Sequence, residues 1–230
     1  MTWAQDVVDA AASLDVGVRA LRSEHGRQLR VIASMTIAEY LAPNWLATIR
    51  RESPAVAVSL ALANSAAVAE VVLDGDADLG FVEGPLVPPG LKTRVVGQDR
   101  LEVVVAPTHP WARRRRPLSA HELAATPLIQ REPGSGTRYT LDRVLENMPA
   151  LADPMMELSS ISALKARVAT GMAPAVISSL AVSVELSDRR LVAVPVDGVD
   201  LRRRLRAVWV AGRPLLGPGR DFVAIAARRG

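Results

Sequence analysis

The stretch LRVIASMTIAEYL at residues 29–41 places a short apolar strand directly before a helix. Beyond the strand, apolar side chains recur at helical spacing, at Ile37, Leu41, Leu46 and Ile49. The alternation continues with a strand at 55–62, a helix from Asn64 to Gly75 and a strand at 79–82. Because uniformly apolar strands need cover on both faces, this β-α-β-α-β order predicts an α/β domain built on a parallel sheet.

The second half of the chain predicts another unit of the same kind. Its elements are a strand at 100–106, a short helix opened by a capping box of Ser119 and Glu122, a strand at 127–131, a helix at 137–147, a strand at 155–158, a helix at 161–169, strands at 174–178, 191–196 and 205–211, and a helix after Pro218. Residues 1–25 predict a separate amphipathic helix. Two α/β lobes preceded by one helix are the economical interpretation.

Composition excludes several classes of function. The chain contains no cysteine, which excludes thiolate catalysis and zinc ribbons. The net charge is +4, but aromatic residues make up only 3%, so the stacking platforms of single-strand nucleic-acid binders are scarce. No apolar stretch reaches the roughly 18 residues of a membrane span, and no signal-peptide core is present. We therefore expect a cytoplasmic protein with no membrane contact.

No motif of catalysis, metal binding or cofactor binding stands out. His25, His109 and His121 lack metal-ligand spacing. The glycine turn at 134–137 breaks the dinucleotide-binding fingerprint. The arginine run at 202–204, like the one at 113–116, is typical of a solvated loop. We expect no enzyme activity, no cofactor and no metal.

Hydroxyl side chains precede three of the predicted helices. Ser34 and Thr36 stand between the first strand and the first helix. Ser135 and Thr137 belong to the glycine turn at 134–137, and Ser160 precedes the helix at 161–169. Helix N-termini offer unpaired N–H groups that attract anions. Ordinary helix capping is the alternative role of these hydroxyls. Three such turns at the carboxyl ends of strands predict one cleft that takes a small polar ligand.

Five segments together resemble the effector-binding region of LysR-type transcriptional regulators. They are LRVIASMTIAEYLAP from Leu29, DGDADLGFVEG from Asp74, LEVVVAPTHPWARR from Leu101, PLIQREPGSGTR from Pro127 and MELSSISALKARVATGM from Met156. The resemblance implies a two-lobed type 2 periplasmic-binding-protein-like fold with a ligand cleft between the lobes. It also implies a linker helix at 1–27, lobe I at 28–100 plus 205–230, and lobe II at 101–204.

The resemblance further implies what the protein binds. It predicts a small-molecule effector, a homodimer or homotetramer, and DNA contact only through a winged helix-turn-helix absent from this chain. A cytosolic small-molecule-binding protein or an enzyme on the same fold is the alternative, and the sequence upstream of this chain discriminates between them. The ligand contacts implied by the family are Ser34, Thr36, Glu83, Ser135, Gly136 and Thr137, with Gln130, Arg131 and Ser160 as further candidates. Glu83 places a carboxylate where an anion would bind, which leaves the charge of the ligand open.

Overall fold

The protein consists of eleven strands and eight α-helices in the part described by a computed structural model, residues 28–85, 87–149 and 151–228. The strands are β1 Gln28–Ser34, β2 Ala57–Ala63, β3 Leu79–Glu83, β4 Leu91–Val105, β5 Leu118–Ser119, β6 Ile129–Arg131, β7 Met156–Leu158, β8 Ala175–Ser178, β9 Val192–Val194, β10 Val196–Asp197 and β11 Arg202–Val210. The helices are α1 Met35–Tyr40, α2 Ala42–Glu52, α3 Ser65–Leu73, α4 Ala120–Ala124, α5 Gly136–Leu145, α6 Ile161–Ala169, α7 Ser179–Ser187 and α8 Gly217–Ala227. The helix expected at residues 1–27 lies outside the described residues.

One long strand, β4, belongs to both halves of the main sheet. Its first part pairs with β11 in the order β2-β1-β3-β11-β4, and its second part continues as β4-β8-β6-β7 with β9 alongside. The pairing with β11 ends at Arg100, and the pairing with β8 begins at Leu101. A single strand therefore carries the chain from one half of the sheet into the other.

The parallel pairing expected from the β-α-β-α-β order is confirmed for β1, β2 and β3, but the complete sheet is mixed. Strand β1 pairs in parallel with β2 and β3, and β6 pairs in parallel with β7 and β8. Strand β11 runs antiparallel to β3 and β4, and β4 runs antiparallel to β8 and β9. Apolar content predicts burial of a strand but carries no information on its direction. Edge strand β2 also lacks the expected cover on both faces, and Leu62 on it is 52% exposed.

Three further elements differ from the prediction. The single helix expected through Ile37 and Ile49 is two helices that meet at Leu41, with Pro43 in the first turn of α2, where its missing N–H costs no helix bond. Helix α7 was not predicted, because its apolar side chains face both inward and outward, with Val184 60% exposed. Pro195 separates β9 from β10, where one strand was expected at 191–196.

Each half of the sheet has its own hydrophobic core. In the first half, the rings of Trp45 and Phe222 pack on Phe81, with centroid distances of 5.0 Å and 5.7 Å. Helix α3 covers the opposite face through Val68 and Val72. In the second half, α4 and α5 cover one face and α6 and α7 the other. The lobe bounds given above stay a prediction.

The capping box predicted at Ser119 is present. The Ser119 hydroxyl accepts from the Glu122 N–H at 3.1 Å, and the Glu122 carboxylate accepts from the Ser119 N–H at 3.2 Å. Arg114 adds hydrogen bonds of 2.8 Å and 3.2 Å to the same carboxylate. The box thereby connects the start of α4 to the preceding loop.

We expect Glu122 to titrate far below an ordinary glutamate. Hydrogen bonds from Arg114 and then from the Ser119 backbone lower the pKa of its carboxyl from 4.5 to about 2. Because the folded-state pKa lies below the unfolded-state value, the box stabilises the fold above pH 4.5 and loses this effect as the pH falls towards 2. Carbon-13 NMR titration measures this pKa, and Arg114→Gln should raise it. A midpoint near 4.5 in the unsubstituted chain would contradict the arrangement.

Candidate functional site

A cluster of three charged side chains lies buried between the two halves of the sheet. The Arg203 guanidinium donates from Nε and Nη2 to Asp99 Oδ2 at 2.9 Å and 2.6 Å, and Nη1 forms an ion pair with Glu83. The side chains of Arg203, Glu83 and Asp99 are 1%, 3% and 0% exposed. We call these three residues the charge cluster. It carries one positive and two negative charges out of contact with water.

The strands place these side chains by their registers. Side chains alternate along β11, so Arg203 points inward while Arg202 and Arg204 point outward. Asp99 on β4 is the direct cross-strand partner of Arg203. Glu83 is the last residue of β3, on the other side of β11. The cluster therefore forms where three neighbouring strands bring acidic and basic side chains to one face.

Glu83 also occupies the N-terminus of α1. Its Oε1 atom accepts from the Ser34 hydroxyl at 2.7 Å and from the Thr36 N–H at 3.1 Å. Charged acceptors at a helix N-terminus are favoured because the first N–H groups have no partner within the helix. The side chain of Glu83 thus takes the place that the sequence predicted for an anionic ligand.

Hydroxyl groups from both halves complete the hydrogen bonds of the cluster. Arg203 donates to the hydroxyl oxygen of Thr137 at 3.0 Å and to that of Thr36 at 3.4 Å. The Ser179 hydroxyl donates to Asp99 Oδ1 at 3.1 Å. Arg203 therefore makes four hydrogen bonds besides its ion pair with Glu83, which offsets the cost of burying its charge.

Two backbone contacts hold the halves together beside the cluster. Gly136 at the start of α5 lies against the end of β3, so that a Cβ atom placed there would lie 2.8 Å from the carbonyl carbon of Glu83. The Ala66 N–H donates to the Gly134 carbonyl at 3.1 Å. Any side chain at position 136 would push α5 away from β3, which explains the glycine.

A small cavity lies next to the charge cluster. Its volume is about 10 Å³, enough for about one water molecule. It is lined by Thr36, Arg131, Thr137, Ile161, Leu164, Val176, Ile177 and Ser178. The cavity therefore lies where the starts of α1 and α5 meet the face of α6.

The structure brings together part of the predicted ligand site. Ser34, Thr36, Glu83 and Thr137 all contact one another or Arg203. Arg131 lines the cavity and is paired with Glu132 at 2.8 Å. The role of all these residues in binding a ligand stays a prediction.

The remaining predicted residues make other contacts. Ser135 caps α5 by accepting from the Thr137 N–H at 3.3 Å, and Ser160 caps α6 by accepting from the Ala163 N–H at 3.2 Å. Gly136 makes the close backbone contact described above. Gln130 has a buried Oε1 atom with no hydrogen-bond donor.

Sequence reasoning missed Arg203 and Asp99. The expectation that 202–204 forms a solvated loop is wrong, because these residues belong to β11 and Arg203 is buried. A signal was available, since LRRRLRAV carries apolar residues at Leu201, Leu205 and Ala207, in phase with Arg203. That phase places the middle arginine on the same face as the apolar residues.

The described ranges contain neither a metal site nor a membrane span. No group of three or more His, Asp or Glu side chains there is arranged to hold a metal ion. Among the same residues, no helix combines the length and the apolar character needed to cross a bilayer.

The sequence from residue 22 to residue 230 matches the family model described as the LysR substrate binding domain. The chain belongs to this LysR family. An HTH-type transcriptional regulator of Mycobacterium tuberculosis is 45% identical over 96% of this chain and 74% of its own length. HTH-type transcriptional regulator CbbR of Xanthobacter flavus is 32% identical over 97% of this chain and 67% of its own length. The resemblance stated from sequence is confirmed.

Solved LysR regulatory domains share this fold. The regulatory domain of CcmR from Synechocystis matches with a TM-score of 0.79 at 24% identity, covering 88% of this chain and 96% of that one. The effector binding domain of QuiR matches with a TM-score of 0.77 at 14% identity, covering 88% and 96%. The predicted α/β class and the two-lobed periplasmic-binding-protein-like fold are thereby confirmed.

Removing Arg203 should destabilise the LysR domain strongly. Arg203→Ala leaves Glu83 and Asp99 buried without a counter-charge, a change that typically costs about 3–5 kcal/mol. Arg202→Ala is the matched control, because this arginine lies one residue away, and its ion pair with Asp200 is exposed to solvent and should contribute little to stability. Urea unfolding of the variants measures both values.

A triple change tests whether unpaired charge is the cause. Arg203→Met combined with Glu83→Gln and Asp99→Asn removes all three charges and should recover more than half of the stability lost in Arg203→Ala. Equal losses in the single and triple variants would show that packing, not charge, dominates at this position.

Proposed function

We propose that this chain is the effector-sensing region of a transcriptional regulator and that a small polar ligand binds at the cavity beside the charge cluster. The observation that carries the proposal is the meeting of Thr36, Thr137 and Arg131 from both halves around one small, mostly apolar cavity. A ligand held there contacts both lobes, so its binding energy depends on their relative position.

The solved relatives support the class of ligand. The CcmR regulatory domain was solved with 2-PG and the effector binding domain of QuiR with shikimate. One domain of OxyR2 from Vibrio vulnificus was solved with sulfate. These three are small anions. We therefore propose a small, anionic, polar metabolite for this chain, with no catalytic step and no cofactor.

Binding requires the cavity to enlarge. A space of about 10 Å³ does not admit a metabolite, so the lobes or the side chains lining the cavity must move. The Ser34 hydroxyl and the Thr36 N–H already donate to Glu83. We propose that the ligand's anionic group binds to Arg131 and to the hydroxyls of Thr36 and Thr137, leaving Glu83 in its place.

The wider function follows the relatives, which are HTH-type transcriptional regulators. We propose that the sensing domain works in the cytoplasm as a homodimer or homotetramer. DNA contact is then made by winged helix-turn-helix modules, whose arrangement responds to the lobes of this domain.

Two isosteric substitutions test the site. Thr36→Val and Thr137→Val, combined, remove the hydroxyls of two cavity-lining residues and keep the side-chain volume. Isothermal titration with 2-PG, shikimate and sodium sulfate should identify a ligand of the unsubstituted chain that the double variant binds at least tenfold more weakly, because each lost hydrogen bond to a charged group contributes about 1.5–3 kcal/mol.

Thr48→Val is the matched control. Thr48 is also a buried threonine, and its hydroxyl donates to the Asn44 carbonyl within α2, away from the cavity. This variant should bind the same ligand as tightly as the unsubstituted chain. Unchanged binding by the double variant, or equal weakening by the control, would overturn the assigned site.

A further inference from the structure

A second cavity lies beside β11, and its lining includes Arg203 as well as residues on the outward face of the strand. Side chains at Arg202, Arg204 and Arg206 lie on the same face of this strand, because alternate residues share a face. Arg143 of α5 lines the same cavity, whose volume is about 310 Å³. We call this cavity the arginine notch. Its size lies at the lower end of the range of small-molecule pockets.

Positive charge in the notch is largely unneutralised. Asp200 is the acidic residue that lines it, and this carboxylate is paired with Arg202 at 2.9 Å. Within the described ranges, Arg143, Arg204 and Arg206 form no ion pair with a carboxylate. Three guanidinium groups therefore share one concave space without acidic partners.

The surroundings of Arg206 in the notch disfavour its positive charge. It is partly buried, and its guanidinium donates to the Gly84 carbonyl, a neutral acceptor. Burial lowers the pKa of Arg206, and the positive charge of Arg204 lowers it further. An anion between these side chains would relieve both effects, because it supplies the missing counter-charge.

The geometry points to a binding site for a small polyanion. We propose that the arginine notch binds a molecule with at least two negatively charged oxygen groups, either a phosphate compound or a polycarboxylate. Guanidinium groups match both, since each presents paired N–H donors to two oxygens. A ligand with a single negative charge would leave part of the positive charge of the arginines in the notch without a counter-charge. The site is separate from the effector cavity proposed above.

The notch spans both halves of the molecule. Pro85 follows β3 of the first half, Arg143 belongs to α5 of the second half, and Arg204 lies on the strand between them. A polyanion that contacts Arg143 and Arg204 together ties α5 to β11. Its occupancy therefore changes how easily α5 moves. The same helix carries Thr137, whose hydroxyl accepts a hydrogen bond from Arg203.

Titration with two probes tests the proposal. Sodium pyrophosphate represents the phosphate compounds and sodium citrate the polycarboxylates, with acetate as a singly charged comparison at the same ionic strength. We expect pyrophosphate or citrate to bind at least tenfold more tightly than acetate. We expect Arg143→Gln combined with Arg204→Gln to weaken that binding at least tenfold.

A charge-matched variant is the control. Arg115→Gln combined with Arg116→Gln removes the same net charge from an exposed run outside the notch. This control should keep the binding of the unsubstituted chain, and Arg204→Lys should lie between the two extremes because it keeps charge but loses the planar donors.

Four results would overturn the proposal. The first is no binding of either probe at millimolar concentration. The second is equal weakening in the notch variant and the charge-matched control. The third is loss of binding only in the Thr36→Val, Thr137→Val variant, which would place the anion at the effector cavity. The fourth is binding of a 24-base-pair duplex that depends on Arg143 and Arg204 when neither small anion binds, which would make the notch a contact for nucleic acid.

Discussion

The burial of Arg203 between Glu83 and Asp99 is the constraint on which the arrangement of the two halves depends. A guanidinium out of water needs acceptors on every N–H, and these come from β3, β4, α1 and α5. No one of these elements can shift alone without leaving a buried charge or a donor unpaired. The register of β11 therefore constrains the starts of α1 and α5, and through them the shape of the cavity beside the charge cluster.

The same network shows how a protein side chain stands in for a ligand. The start of α1 presents an N–H and a hydroxyl, as an anion site does, but Glu83 uses both. In the binding mode proposed above, the threonine hydroxyls and Arg131 remain for a ligand at this end of the cavity. In that mode Glu83 removes one anion position, so the cavity would discriminate by the placement of charge as well as by its sign.

Local pattern predicted most elements and some of the site, and the reasons for the rest are physical. Strands and helices follow from apolar spacing, and the hydroxyls of Ser34 and Thr137 follow from helix-start chemistry. Arg203 was missed because three consecutive arginines suggest solvent, although only the middle one shares the phase of Leu205. Its partners are far away in sequence, and Arg203 and Thr36 are separated by 167 positions. The antiparallel direction of β4 and β11 was missed because periodicity does not encode it.

The strand order β3-β11-β4 has a consequence for the order in which the chain is completed during synthesis. Strands β6, β7, β8 and β9 and the second part of β4 are contiguous in sequence, so the ribosome delivers all of them before β11. The first half of the sheet keeps a gap between β3 and β4 until the last strand emerges. The half made first is therefore the half finished last, and the edges of β3 and β4 that pair with β11 stay open until the C-terminal residues are synthesised.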